Sequence, residues 1–131
     1  MFSIRHTTVP DYLEPIVHEI KVSRADLLCD LKRKDKRESY LDVGGQCWYV
    51  LGCDSHGRSI GTADDVPAEC GVLIAEPDRW QVARQAPKRP AQALPFALWM
   101  ALAKATPREA TPPQTGLLED GHGLKDWLPP P

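Results

Sequence analysis

The chain lacks the features that would mark it for a membrane, for secretion or for zinc. Its longest apolar run, FALWMALA from Phe96 to Ala103, falls far short of the ~20 residues a bilayer-crossing helix needs. No membrane partner is therefore expected. The start, MFSIRHTTVPD, has neither the basic opening nor the apolar core of a signal peptide. Cysteine is scarce: Cys29, Cys47, Cys53 and Cys70 show no C-x-x-C and no paired spacing, which argues for buried structural thiols over a zinc site. A reducing cytoplasm fits both observations. His6, His18, His56 and His122 form no cluster, so a zinc hydrolase is not expected. Gly44, Gly45, Gly52 and Gly57 serve turns, and no phosphate-cradling glycine motif is present. Positive charge is not in excess either. A formal net charge of −2 argues against indiscriminate coating of nucleic acid, so any polyanion contact must come from a local basic patch.

What remains is ordinary globular material. The 131 residues, 42% hydrophobic and 26% charged, are enough for one domain with a core. FSIR (Phe2 to Arg5) and IVHEIKV (Ile16 to Val22) read as strands separated by a proline-bearing loop. Ser23 reads as an N-cap with Asp26 three residues on. The helix it opens should bury Ala25, Leu27, Leu28 and Leu31 and run on into the charged KRKDKRESY, Lys32 to Tyr40.

QCWYVLG (Gln46 to Gly52), CGVLIAE (Cys70 to Glu76) and WQVARQA (Trp80 to Ala86) read as three more strands, the last two as a hairpin. A final helix, Phe96 to Lys104, should bury Phe96, Leu98, Trp99, Leu102 and Ala103. Residues 106–131 are proline-rich and read as a disordered tail whose LKDWL is a docking candidate for an unknown partner. The expected domain is thus residues 1–105, an α/β fold with a mixed sheet flanked by helices.

In the strand VHEIKV, alternation puts Glu19 and Lys21 on one face and His18 and Ile20 on the other. If helices cover that face, the two charges are expensive unless paired or used. Glu19 is a hard oxygen ligand suited to Mg²⁺, and the Ile20 carbonyl offers a second oxygen. An unperturbed lysine has a pKa of ~10.4, so Lys21 would stay protonated and stabilise charge. The alternative is a purely structural ion pair.

This E-x-K strand followed by a helix resembles the PD-(D/E)XK nuclease superfamily. More narrowly, HEIKVSRADLLCDL, then KRESY, CWYVL and VPAECGVLI, resemble the MmcB-like family of DNA-repair endonucleases over most of residues 2–105. The resemblance implies a restriction-endonuclease-like core, DNA as partner, Mg²⁺ or Mn²⁺ as cofactor, Glu19 as metal ligand and Lys21 as catalytic lysine. It also implies an acid at the head of the strand pairing with E-x-K. That strand is FSIR, so the position falls at Met1 or ahead of it, and the superfamily's first helix and strand would lie upstream. Asp11, after Pro10, is the substitute within the chain, with Glu14 a weaker one; the alternative for Asp11 is a turn aspartate.

KRKDKR (Lys32 to Arg37) is either a solvated helix end or a phosphate-binding patch. Beside a phosphodiesterase site, Lys34, Lys36, Arg37 and Tyr40 become candidates for holding the DNA strand. Ser23 and Arg24 are candidates at the helix start, with capping the simpler role for Ser23. RQAPKR (Arg84 to Arg89) is a second candidate patch. Trp48, Tyr49, Trp80 and Trp99 are expected in the core and not as base-stacking platforms. Homodimerisation stays open.

Overall fold

A computed structural model describes residues 1–43, 45–90 and 93–106. The proline-rich stretch from residue 107 onward lies outside the described residues. Five strands form a single mixed sheet, with three helices. The strands are β1 (Phe2–Ser3), β2 (Ile16–Lys21), β3 (Gln46–Leu51), β4 (Gly71–Ala75) and β5 (Trp80–Arg84), in that spatial order. β2, β3 and β4 run parallel, and antiparallel β1 and β5 close the two edges. The expected α/β class and the β4–β5 hairpin are both present.

Where one helix was expected after Ser23 there are two, α1 (Arg24–Leu31) and α2 (Lys34–Val43). No glycine or proline breaks the run; short-range bonds close the end of α1 instead. The Arg33 N–H tightens onto the Asp30 carbonyl at 2.9 Å, and the Arg37 guanidinium donates to the Leu31 carbonyl at 3.2 Å. Carbonyls at the end of α1 are thus satisfied without helical continuation. The Ser23 hydroxyl accepts from the Asp26 N–H, as a capping residue should.

The buried stripe of α1 also differs from expectation. Leu27 and Asp30 are buried and Leu31 is half-buried, whereas Ala25 and Leu28 face solvent. Spacing of three and four residues selects that face, and it includes an aspartate.

The covered face of the sheet presents Val17, Glu19 and Lys21 from β2 against Cys47, Tyr49 and Leu51 of β3. Val72 of β4 continues this face, and Leu27 and Leu41 of α1 and α2 pack on it. Only part of the apolar material is enclosed. α3 (Phe96–Lys104) has the expected bounds but buries none of its residues: Phe96 and Trp99 are exposed, and Leu98 and Leu102 are half-buried. Trp80 is exposed too, at the start of the edge strand β5, and Trp48 is half-buried, so of the four aromatics expected in the core only Tyr49 is fully enclosed. Of the cysteines, Cys47 and Cys70 are buried as expected and Cys29 is exposed.

The connection from β3 to β4 contains no α-helix, only a 3-10 turn at Ala63–Asp65. Arg84 of β5 holds it instead, donating to the carbonyls of Ala63, Val66, Pro67 and Cys70 at 2.6 to 3.0 Å. At its end, Gly71 passes against Trp48: an added Cβ would come within 2.6 Å of the indole and 2.7 Å of the Ala86 methyl. Gly71→Ala should therefore lower stability by about 1–3 kcal/mol through overpacking, read as a lower urea midpoint. An unchanged midpoint would show that Trp48 can yield.

Candidate active site

β2 delivers Glu19 and Lys21 to the covered face, α1 brings Asp30 down onto them, and the break after Leu31 swings α2 back so that Lys36 points inward. These four side chains close a ring of alternating charge. Glu19 Oε2 lies 3.3 Å from Lys21 Nζ and 3.2 Å from Lys36 Nζ. Asp30 Oδ1 lies 3.3 Å from Lys21 Nζ and 2.6 Å from Lys36 Nζ. Asp26, more exposed, adds a third carboxylate 3.5 Å from Lys21. The Tyr49 hydroxyl donates to Asp30 Oδ2 at 3.0 Å.

Burial disfavours charge on Lys21, but Asp30 and Glu19 outweigh it and hold the ammonium above its ordinary pKa. Burial likewise pushes the Asp30 carboxyl up, and hydrogen bonds from Lys36 and Tyr49 together with the two lysine charges bring it below the usual range. Lys36 follows Lys21: burial lowers its pKa, but Asp30 and Glu19 outweigh it and raise the ammonium above its ordinary range. Lys21 therefore carries a positive charge at neutral pH.

Both cations make their contacts with Glu19 through Oε2. Glu19 opens into a cleft of about 390 Å³ that is also lined by Met1, Phe2, Ser39, Tyr40 and Leu98. The Met1 backbone pairs with His18, and because backbone groups alternate in direction along a strand, those of Ile20 face the same edge, beyond the end of β1. One carboxylate oxygen and one carbonyl suit an ion that keeps most of its waters and takes phosphate oxygens, as Mg²⁺ does. Among the described residues no group of three His, Cys, Asp or Glu side chains is placed to hold a metal ion.

The other expected residues are distributed unevenly. Asp11 lies in the 3-10 turn Pro10–Tyr12 and lines a cavity at the opposite end of β2, with Glu14, Ile16, Gln46 and Lys88; it is not brought to Glu19. Glu14 pairs there with Arg5 and Lys88. Arg24 is engaged in a two-pronged ion pair with Asp65 at 2.7 and 2.8 Å. Arg37 is buried and bonded to Glu69 and the Leu31 carbonyl. Lys34 is exposed, as are Lys32 and Arg33 at the helix break. Tyr40 stands in the cleft, with the Lys36 ammonium 5.3 Å from its ring centre.

Asp30 is the residue that sequence reasoning missed. Its signal was the spacing of four from Asp26 on the helix that leaves the lysine strand.

No family model matches the chain, and a search of curated proteins finds no match. Among solved structures it is similar to the SPO1766 protein of unknown function from Silicibacter pomeroyi, with 31% sequence identity, a TM-score of 0.45, and coverage of 69% of this chain and 53% of that one. The chain thus spans about half the length of that protein. Among the described residues no helix is long and apolar enough to cross a membrane.

Proposed function

We propose that this domain is a DNA phosphodiesterase of the nuclease type, acting with Mg²⁺ or Mn²⁺ in a repair setting. The observation that carries the reading is Lys21: an ammonium on the covered face of β2, 3.3 Å from Glu19 and kept charged by its neighbours. A scaffold gains little from such a group, because apolar residues of similar volume stabilise as well or better. Perturbed buried groups beside a cleft are characteristic of sites.

When bound, the metal ion would supply Lewis-acid stabilisation of the phosphoryl group and an acidified water. Glu19 and the Ile20 carbonyl are the residues that would hold it. Lys21 offsets negative charge developing on the phosphoryl oxygens. The exposed Lys32, Arg33 and Lys34 would contact backbone phosphates, giving a salt-dependent, sequence-independent affinity.

A second reading is favoured by Asp30, whose oxygens are occupied by lysines and Tyr49. On that reading the module binds nucleic acid or a protein without cleaving. Incubation of supercoiled plasmid with the chain and Mg²⁺ or Mn²⁺ separates the two. Nicking that disappears in Glu19→Gln is expected; equal nicking by the variant sinks the nuclease reading, and DNA retention without nicking supports the second.

A further inference from the structure

We infer that Lys36 is an exchangeable counter-cation of the site: its ammonium fills the point at which Glu19 and Asp30 converge, and yields that point to a divalent ion when a DNA phosphate draws the lysine outward. The inference rests on the nuclease reading for the identity of the phosphate. Two carboxylate oxygens on different elements, Glu19 Oε2 of β2 and Asp30 Oδ1 of α1, meet one nitrogen at 3.2 and 2.6 Å. A point where anionic oxygens from a strand and a helix converge on one cation is what a hard divalent ion requires.

Lys36 differs from Lys21 in its access to solvent, although its bonds are the shorter ones. The Lys21 side chain is 7% exposed and meets three carboxylates, whereas that of Lys36 is 24% exposed and meets two. The cleft wall is within reach of Lys36 from its place in the ring. Its ammonium lies 5.3 Å from the Tyr40 ring, whose face attracts cations, and Tyr40 lines the cleft beside Glu19. A phosphate in that cleft would meet the lysine there. Departure of Lys36 leaves Glu19 and Asp30 with Lys21 alone, a buried excess of negative charge that draws in a cation. Asp30 then joins Glu19 as an oxygen donor.

The test is Mn²⁺ binding to the full chain by isothermal titration, without reference to cleavage. Lys36→Met should bind Mn²⁺ about tenfold more tightly than the wild type, a difference well resolved in Kd. The gain should vanish when Asp30→Asn or Glu19→Gln is added and survive Asp26→Asn, because Asp26 does not touch Lys36. Duplex DNA should tighten Mn²⁺ binding by the wild type and have less effect on Lys36→Met, since coupling between two ligands through one group is reciprocal. Lys36→Gln serves if circular dichroism shows the methionine variant unfolded. Equal affinity in wild type and variant overturns the inference, as does a gain that persists with Asp30→Asn, which would reflect net charge alone. If plasmid stays intact while the Mn²⁺ pattern holds, the nuclease reading fails and the role of Lys36 stands.

Discussion

Asp30→Ala should destabilise the domain by about 3–5 kcal/mol, the loss typical when one partner of a buried ion pair is removed. The Asp30 side chain is 7% exposed and is the common partner of Lys36, Lys21 and Tyr49. Its removal leaves the Tyr49 hydroxyl without an acceptor on a fully buried ring and gives Glu19 the larger share of two ammonium charges. Urea unfolding of the pure protein measures the effect as a lowered midpoint at unchanged slope. Adding Lys36→Met should recover part of the loss, because one of the stranded charges is then gone. A loss below about 1 kcal/mol would mean that water reaches the ring and that its members are priced as surface charges.

The second large effect concerns rate. Lys21→Met keeps the aliphatic stem and removes the charge, so cleavage of plasmid should fall by about 10²–10³-fold, the range seen when one preorganised charge-stabilising donor is deleted. Affinity for DNA should change far less, since the exposed cations at the helix break supply it. Rate measured at saturating DNA, alongside binding at low salt, separates the two. Unchanged cleavage would remove Lys21 from the chemistry. A parallel collapse of binding and rate would assign it to DNA retention.

Much of this arrangement is legible in the chain. Alternation alone placed Glu19 and Lys21 on one face of β2, and the β-branched run fixed that strand to within a residue. The helix break was not legible, because nothing local marks it: it exists through Arg37 reaching back to Leu31. Asp30 was missed for a related reason: its spacing from Asp26 marks a shared helix face, but an aspartate on a helix reads as solvent-facing until its cations arrive from β2 and α2. Lys36 and Arg37, read as candidates for holding the DNA strand, turn inward once the break redirects α2. On α3, apolar residues recur all round the helix, so their spacing could not say which side would be covered.

The four-carbonyl anchor made by Arg84 reaches beyond the loop it holds. That loop carries Asp65 and Glu69, which pin Arg24 of α1 and Arg37 of α2. Fraying of the edge strand β5 would release the loop, and with it the clamps on both helices. β5, α1 and α2 are therefore expected to open as one cooperative unit. Their backbone amides would exchange with solvent deuterium through a shared event, on a common free-energy scale.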